Sequence, residues 1–333
     1  MTRTLKIPVG ITAVGQAYPE RLVTNAELST MVDTTDEWIR TRTGITERRW
    51  VEKGQGASDL GAPALRMALE RRGIRAEDLD VIIVATTTPD TIFPATACRI
   101  QQKVGATKAW GFDLGAACSG FLFALSAGAG LIASGAATRV AVVGTDIMSS
   151  IIDMDDRATC VLFGDGAGAV ILEQVEEGFG ILDFEHHVDG TGVDFLHMPG
   201  GGSRLPATHE TVDNKDHVIH QSGQDVFKAA VREMADSSRL MLDRNGFTPA
   251  DLKLFVPHQA NLRIMDAALR RLEIPPERMA VNIDRFANTT AATIPTALFQ
   301  SLEAGKVAKG DLVVLAAFGA GFTWGAMLIR WNF

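Results

Sequence analysis

Apolar residues along the chain recur with two periods. Short β-branched runs such as "VGITAVG" (residues 9–15), "LDVIIVATTT" (79–88) and "VAVVGTD" (140–146) read as strands buried on both faces. Between them lie stretches of helical spacing. "TTDEWIRTRTG" (34–44) predicts a helix start, with Thr34 and Glu37 at capping-box separation. "DLGAPALRMALERRGI" (59–74) predicts a second helix that stops at Gly73. The run 114–138 carries no charge and is rich in Gly, Ala and Ser; it predicts a helix covered on every side inside a soluble protein of more than two layers, not a membrane span. Strand and helix signals alternate, which is the α/β pattern.

After residue 174 the pattern starts again. "GFGILDFEHHV" (178–188) resembles the opening strand, residues 222–247 form a long amphipathic helix, and "LKLFVPHQAN" (252–261) takes the place of "LDVIIVATTT". Ile11 is nearly as far from Ile82 as Ile181 is from Leu254, and "FGDGAGAVIL" (163–172) is echoed by "FGAGFTWGAMLI" (318–329). "NTTAATIPTALFQSL" (288–302) stands where the uncharged helix stood. The chain therefore reads as two duplicated halves, 1–174 and 175–333, forming a stacked α/β sandwich with a central helix from each. Residues 198–217, rich in Gly, Pro and polar side chains, predict a long loop or flap.

The totals narrow the function. The 333 residues carry a net charge of −8, which argues against broad nucleic-acid or anionic-membrane binding. Three widely spaced cysteines, Cys98, Cys118 and Cys160, form no CxxC pair and point to a reducing compartment, the cytoplasm. Pro8 and two glycines interrupt the N-terminal apolar run, which reads as a mature first strand and not a signal peptide. Six of the seven histidines lie between His186 and His220 without metal-ligand spacing, so no metal is expected. "GDGAGA" (164–169) leads into a strand, so it predicts a close-packed turn and not a dinucleotide loop.

Three residues stand apart. Cys118 lies among small residues at the start of the uncharged helix, Asn288 lies at the start of its counterpart, and His258 leaves a buried strand at its carboxyl end. Each alone suits a structural role. Pseudo-twofold packing brings the three together as a nucleophilic site, with the helix start expected to lower the thiol pKa. A papain-type hydrolase uses the same residue order, but its local cysteine signature is absent. A non-catalytic α/β binding protein is the remaining class.

Six motifs in one order, "VDTTDEWIRTRTGITERR", "DLGAACSGF", "LFGDGAGAV", "VPHQANLRI", "NTTAATIP" and "AFGAGFTWG", make the chain resemble the β-ketoacyl-acyl carrier protein synthase III family nearly end to end. The resemblance implies a thiolase-like αβαβα sandwich. It implies a decarboxylative Claisen condensation of an acyl-CoA, acetyl-CoA first among the starters, with malonyl-acyl carrier protein through an acyl-Cys118. It implies His258 and Asn288 as hydrogen-bond donors and an active-site loop of Phe318, Gly319, Ala320 and Gly321, with Ala320 where a third glycine is usual. It further implies CoA contacts from Thr34, Trp38, Arg42 and Arg157, and carrier-protein contacts from Lys228, Arg263, Arg270 and Arg271. Phe93 is implied to reach the partner's acyl pocket in a homodimer. No cofactor is implied, since acyl-CoA is a substrate. A related condensing or acyl-transfer enzyme of secondary metabolism is the nearest alternative.

Overall fold

A computed structural model describes residues 7–333. The first sheet is built from β1 (Val9–Ala17), β2 (Val81–Ala85), β3 (Trp110–Leu114), β4 (Val140–Asp146) and β5 (Gly166–Gln174), in the order β1-β5-β4-β2-β3. The second sheet holds β6 (Gly180–Val188), β7 (Leu252–Pro257), β8 (Leu312–Gly319) and β9 (Thr323–Arg330), in the order β6-β9-β8-β7. Strand directions match as well: β2–β4 and β7–β8 are parallel, and the remaining shared pairings are antiparallel. Among the described residues the second sheet has no counterpart of β3. An isolated parallel bridge between Phe255 and Met279 occupies that edge.

The helices divide into three layers. On the outer face of the first sheet lie α2 (Ala57–Arg72) and α3 (Thr96–Val104), which follow α1 (Asp36–Thr43) in the chain. Between the sheets lie α4 (Gly120–Ala133) and α7 (Thr293–Glu303); α5 (Gly223–Arg244) and α6 (Leu262–Leu272) cover the outer face of the second sheet. Successive residues of each central strand therefore serve different cores. Ile83 and Val142 point to the central helices, whereas Ile82 and Val143 point to α2 and α3. This is why these strands read as unbroken apolar runs and why the run 114–138 could do without charge. Its helix covers 14 residues, and among the described residues no helix is long and apolar enough to cross a membrane.

Two details differ from expectation. The cap of α1 is Thr35, not Thr34: Thr35 is extended (φ −137°, ψ 157°) and its Oγ1 accepts from Trp38 N–H at 3.1 Å. That leaves Thr34 Oγ1 buried without a partner among the described residues. The 198–217 segment is also partly ordered, with a one-turn helix, His209–Asp213, capped by Thr208. Pairing of Leu196–His197 with His220–Gln221 closes its base. The opening strand falls as expected, while residues 1–6 of the N-terminal stretch lie outside the described residues. Gly73 stops α2 in the left-handed region at φ 71°.

Candidate active site

Cys118 sits in a 3-10 turn, Ala117–Ser119, that leads into α4. The matching turn before α7 is Thr290–Ala292. Each turn opens on a left-handed residue other than glycine, Ala117 (φ 46°) and Thr290 (φ 50°). This refines the duplication. The positional counterpart of Cys118 is Ala291, and Asn288 lies just before its turn instead of within it. The two halves bring their helix starts together but contribute chemistry from different steps of the turn.

The hairpin between β8 and β9 packs onto the Cys118 turn. Ser119 Oγ donates to Thr323 O at 3.0 Å, and Thr323 Oγ1 lies 3.1 Å from Ala116 O. A Cβ on Gly319 would lie 2.8 Å from Cys118 N, so only glycine permits this approach. The Cys118 N–H belongs to the first turn of a helix, where no intrahelical acceptor exists. Phe318 is buried, lines the same cavity as Ala320, and packs its ring 4.8 Å from that of Phe322.

His258 follows β7 directly and is buried. Its Nδ1 lies 2.7 Å from Thr293 Oγ1, which itself lies 2.8 Å from Thr290 O. The single Thr293 hydroxyl proton can serve either neighbour. When it goes to Nδ1, the ring carries its proton on Nε2. Asn288 is buried, and its Oδ1 accepts from Thr290 N–H at 2.9 Å, which leaves the Nδ2 amide as the group free to donate. Backbone bonds from Asn288 N–H to Leu162 O and from Gly164 N–H to Asn288 O fix its main chain. The "GDGAGA" run supplies the close packing expected of it: a Cβ on Gly168 would lie 2.6 Å from Pro295 Cγ of α7.

Cys118, His258 and Asn288 all line one cavity of about 440 Å³. Its electrostatics correct one expectation. Burial pushes the Cys118 thiol up to about 12, and the Asp146 carboxylate adds to the rise. Desolvation therefore outweighs the helix start, and the resting Cys118 side chain is a protonated thiol. Burial likewise pushes His258 down to about 3, so the imidazole is neutral.

The cavity mouth gathers Trp38, Arg42 and Arg263. The Arg42 guanidinium lies 4.7 Å and that of Arg157 5.0 Å from the Trp38 ring centroid. Arg157 also donates to Asp33 O at 2.9 Å. Thr34 adjoins this group without lining the cavity. Arg263, beside Phe227, shares the exposed surface with Lys228, Arg270 and Arg271. Arg271 is held by Asp236 at 2.8 Å, whereas Lys228 and Arg270 form no ion pair among the described residues. Phe93 is 83 % exposed beside Ile92 at 84 %, away from the cavity of its own chain. Among the described residues no group of three or more His, Cys, Asp and Glu could hold a metal ion.

Several cavity residues gave no signal in the sequence. Thr87 sits after β2, Thr290 after Asn288, and His197, Met198, Ile219 and Gln221 flank the base of the flap. A threonine-rich helix start, "NTTAAT", was the one visible trace.

The geometry has relatives. Residues 112–190 match the family model described as 3-oxoacyl-[acyl-carrier-protein (ACP)] synthase III, and residues 242–331 match the model for its C terminal part. The beta-ketoacyl-[acyl-carrier-protein] synthase III of Koribacter versatilis is 52% identical over 325 residues, covering 97% of this chain and 98% of that protein. The crystal structure of the synthase III from Thermus thermophilus is 44% identical, with a TM-score of 0.90 over 97% of this chain and 99% of that one. A priming beta-ketosynthase from the R1128 polyketide biosynthetic pathway is 34% identical, with a TM-score of 0.91 over 100% and 98% of the two chains.

Proposed function

Because this chain belongs to the 3-oxoacyl-[acyl-carrier-protein] synthase III family, the acyltransferases that initiate fatty-acid synthesis by condensation, we infer how its own residues divide the reaction. The observation that carries the inference is the convergence of Cys118, His258 and Asn288 in one cavity, with the Asn288 amide held as a donor by Thr290.

In the first half-reaction the Cys118 sulfur attacks the thioester carbonyl of an acyl-CoA. The thiol proton passes to the departing CoA sulfur, with His258 Nε2 as its carrier in the tautomer whose own proton sits on Nδ1 toward Thr293, while Thr293 donates to Thr290 O. The C–S bond to CoA breaks as the C–S bond to Cys118 forms. The Cys118 N–H and a backbone N–H of the Gly319–Gly321 loop receive the tetrahedral oxyanion. In the second half-reaction malonyl-acyl carrier protein enters. His258 and Asn288 donate to its thioester oxygen as the malonyl carboxylate leaves as CO₂, and the resulting enolate carbon attacks the acyl-Cys118. A C–C bond forms as the C–S bond to Cys118 breaks; the β-ketoacyl product stays on the carrier protein and the released thiolate takes a proton from solvent. No proton need be removed from carbon, which is why a neutral imidazole and an amide suffice. The chemistry calls for no cofactor.

Trp38, Arg42, Arg157 and the neighbouring Thr34 form the site for the CoA nucleotide, with the indole as stacking surface and the guanidinium groups as phosphate partners. Lys228, Arg263 and Arg270 offer an acidic carrier protein a cationic landing surface on an otherwise acidic enzyme, and Arg271 joins it on release from Asp236. A homodimer that covers Ile92 and Phe93 accounts for two adjacent, nearly fully exposed apolar side chains. The three free cysteines suit the reducing cytoplasm. Acetyl-CoA is the starter we assign.

Intact-mass analysis tests this reading. Acetyl-CoA and longer or branched acyl-CoAs are each incubated with the protein, followed by malonyl-acyl carrier protein. An acyl adduct on Cys118 that disappears with CO₂ release and β-ketoacyl product is expected. Absence of the adduct overturns the assignment of the nucleophile. An adduct that never condenses points to an acyltransferase of another pathway.

A further inference from the structure

Asp146 ends the apolar strand β4 and is fully buried, yet no cation pairs with it among the described residues. Hydroxyls and amides alone meet its charge. Oδ1 accepts from Thr87 N–H (2.7 Å), Thr88 Oγ1 (2.9 Å), Thr87 Oγ1 (3.0 Å), Thr88 N–H (3.1 Å) and Thr86 Oγ1 (3.1 Å). Oδ2 accepts from Thr290 Oγ1 in a short contact and from Ala291 N–H at 3.4 Å. A buried carboxylate so surrounded is a rigid anchor, because displacing any donor leaves charge uncompensated in a dry interior.

Thr290 is where this anchor meets the active site. It is β-branched yet held at φ 50°, a conformation that persists only where the surroundings impose it. Its N–H donates to Asn288 Oδ1, and its carbonyl lies within reach of the Thr293 hydroxyl that contacts His258 Nδ1. Thr290 thus holds Asn288 directly, and Asp146 holds Thr290.

We propose that Asp146 is a positioning residue for the condensation half-reaction, acting through Thr290 on Asn288. The proposal rests on the acyl-Cys118 reading and extends it to a residue that touches no substrate. It also has an electrostatic corollary. The titratable groups facing Cys118 are Asp146 at the end of β4 and His258 after β7; the Thr290–Ala292 turn, α4 and β8 bring none. Asp146 itself faces Cys118 and Asp165. The anchor therefore aims the Asn288 donor for the second half-reaction while its charge disfavours the thiolate in the first.

Asp146→Asn separates the two effects, since it keeps the side-chain volume and removes the charge. Single-turnover acylation of Cys118 by acetyl-CoA, condensation of the preformed acyl-enzyme with malonyl-acyl carrier protein, and the pH dependence of iodoacetamide labelling of Cys118 are measured in the folded variant. Condensation is expected to fall about 100-fold through a misaimed Asn288 amide, acylation to be retained or accelerated, and the labelling midpoint to move to lower pH. A merely structural role lowers both half-reactions by the same factor, wherever the labelling midpoint lies. That result, or unimpaired condensation, overturns the proposal. Should Asp146→Asn not fold, Thr290→Val keeps the carboxylate and the branched shape. Slowed condensation with unchanged labelling is expected, and equal loss in both half-reactions again overturns the proposal. Failure of the unaltered protein to form an acyl-Cys118 refutes the underlying reading instead.

Discussion

Gly319→Ala places one methyl group between the β8–β9 hairpin and the nucleophile. Its Cβ would lie 2.8 Å from Cys118 N, 3.1 Å from Ser119 N and 3.2 Å from Cys118 Cβ. None of these atoms is the far end of a flexible side chain, so no rotamer change relieves the contact. The φ of Gly319 is not positive, so the cost is steric and not conformational. Gly319 is paired to Thr323, whose carbonyl accepts the Ser119 hydroxyl, so the strand end and the turn are tied together. Restoring ordinary contact requires them to part by roughly half an ångström, an overpacking cost of about 1–3 kcal/mol. The same shift moves the Cys118 N–H and sulfur relative to the incoming carbonyl, and a misplacement of that order costs about 10²-fold in rate. Rapid-quench intact mass would follow the gain of one acetyl group on Cys118, and a thermal melt would establish that the variant is folded at the assay temperature. A folded Gly319→Ala protein acetylated within about threefold of the parent rate would refute the reasoning, because a close approach that tolerates a methyl group is no constraint on the reacting atoms.

Four further outcomes are expected. Trp38→Ala should raise KM for acyl-CoA about tenfold and leave turnover of acyl-pantetheine thioesters unchanged, since in the proposed site only the nucleotide stacks on the indole beside Arg42. His258, lowered to about 3 from 6.5, stays neutral in the folded protein; its stabilisation is complete above pH 6.5 and lost as pH falls through 3, whereas Asp165, raised to about 6, loses its stabilisation as pH rises from 3.8 through 6. Denaturant titrations across pH should therefore show a shallower acid decline in His258→Asn than in the parent and a steeper one in Asp165→Asn. Arg48→Lys should destabilise the protein by about 2–4 kcal/mol in a urea melt, because the buried guanidinium bonds Asn25 Oδ1 and Val161 O with two different nitrogens, a fork that a lysine cannot reproduce. Iodoacetamide at pH 8, read by peptide mapping, should label exposed Cys98 before Cys118 and Cys160, whose thiols burial pushes up to about 12 and about 11.

What the sequence displayed was periodicity, and periodicity reports burial. Strands β2, β4 and β7 were legible because both faces meet cores, and the duplicated halves were legible because those strands recur. Edge strand β3, "WGFDL", was not, since its residues are partly exposed and it contains glycine and aspartate. The three candidate residues were legible from their placement at helix starts and a strand end. Their supports were not: Asp146 and Thr290 are far apart in the chain and meet only in the folded protein. The acidity of Cys118 was misjudged for a related reason. A helix start is visible in sequence, whereas the depth of burial that overrides it depends on what the second half packs against the first.

The uniformly apolar wall of α4 bears on how the protein is made. One flank of that helix rests on β2 and β4, which precede or soon follow it during synthesis, but the flank toward β8 and β9 stays bare until the end of the chain emerges. Until then the nascent protein presents that apolar flank with no second sheet to cover it, and it holds the Cys118 thiol without His258 or Asn288. A chain cut short by premature termination is thus adhesive and chemically idle at once, a natural client for folding assistants and proteases.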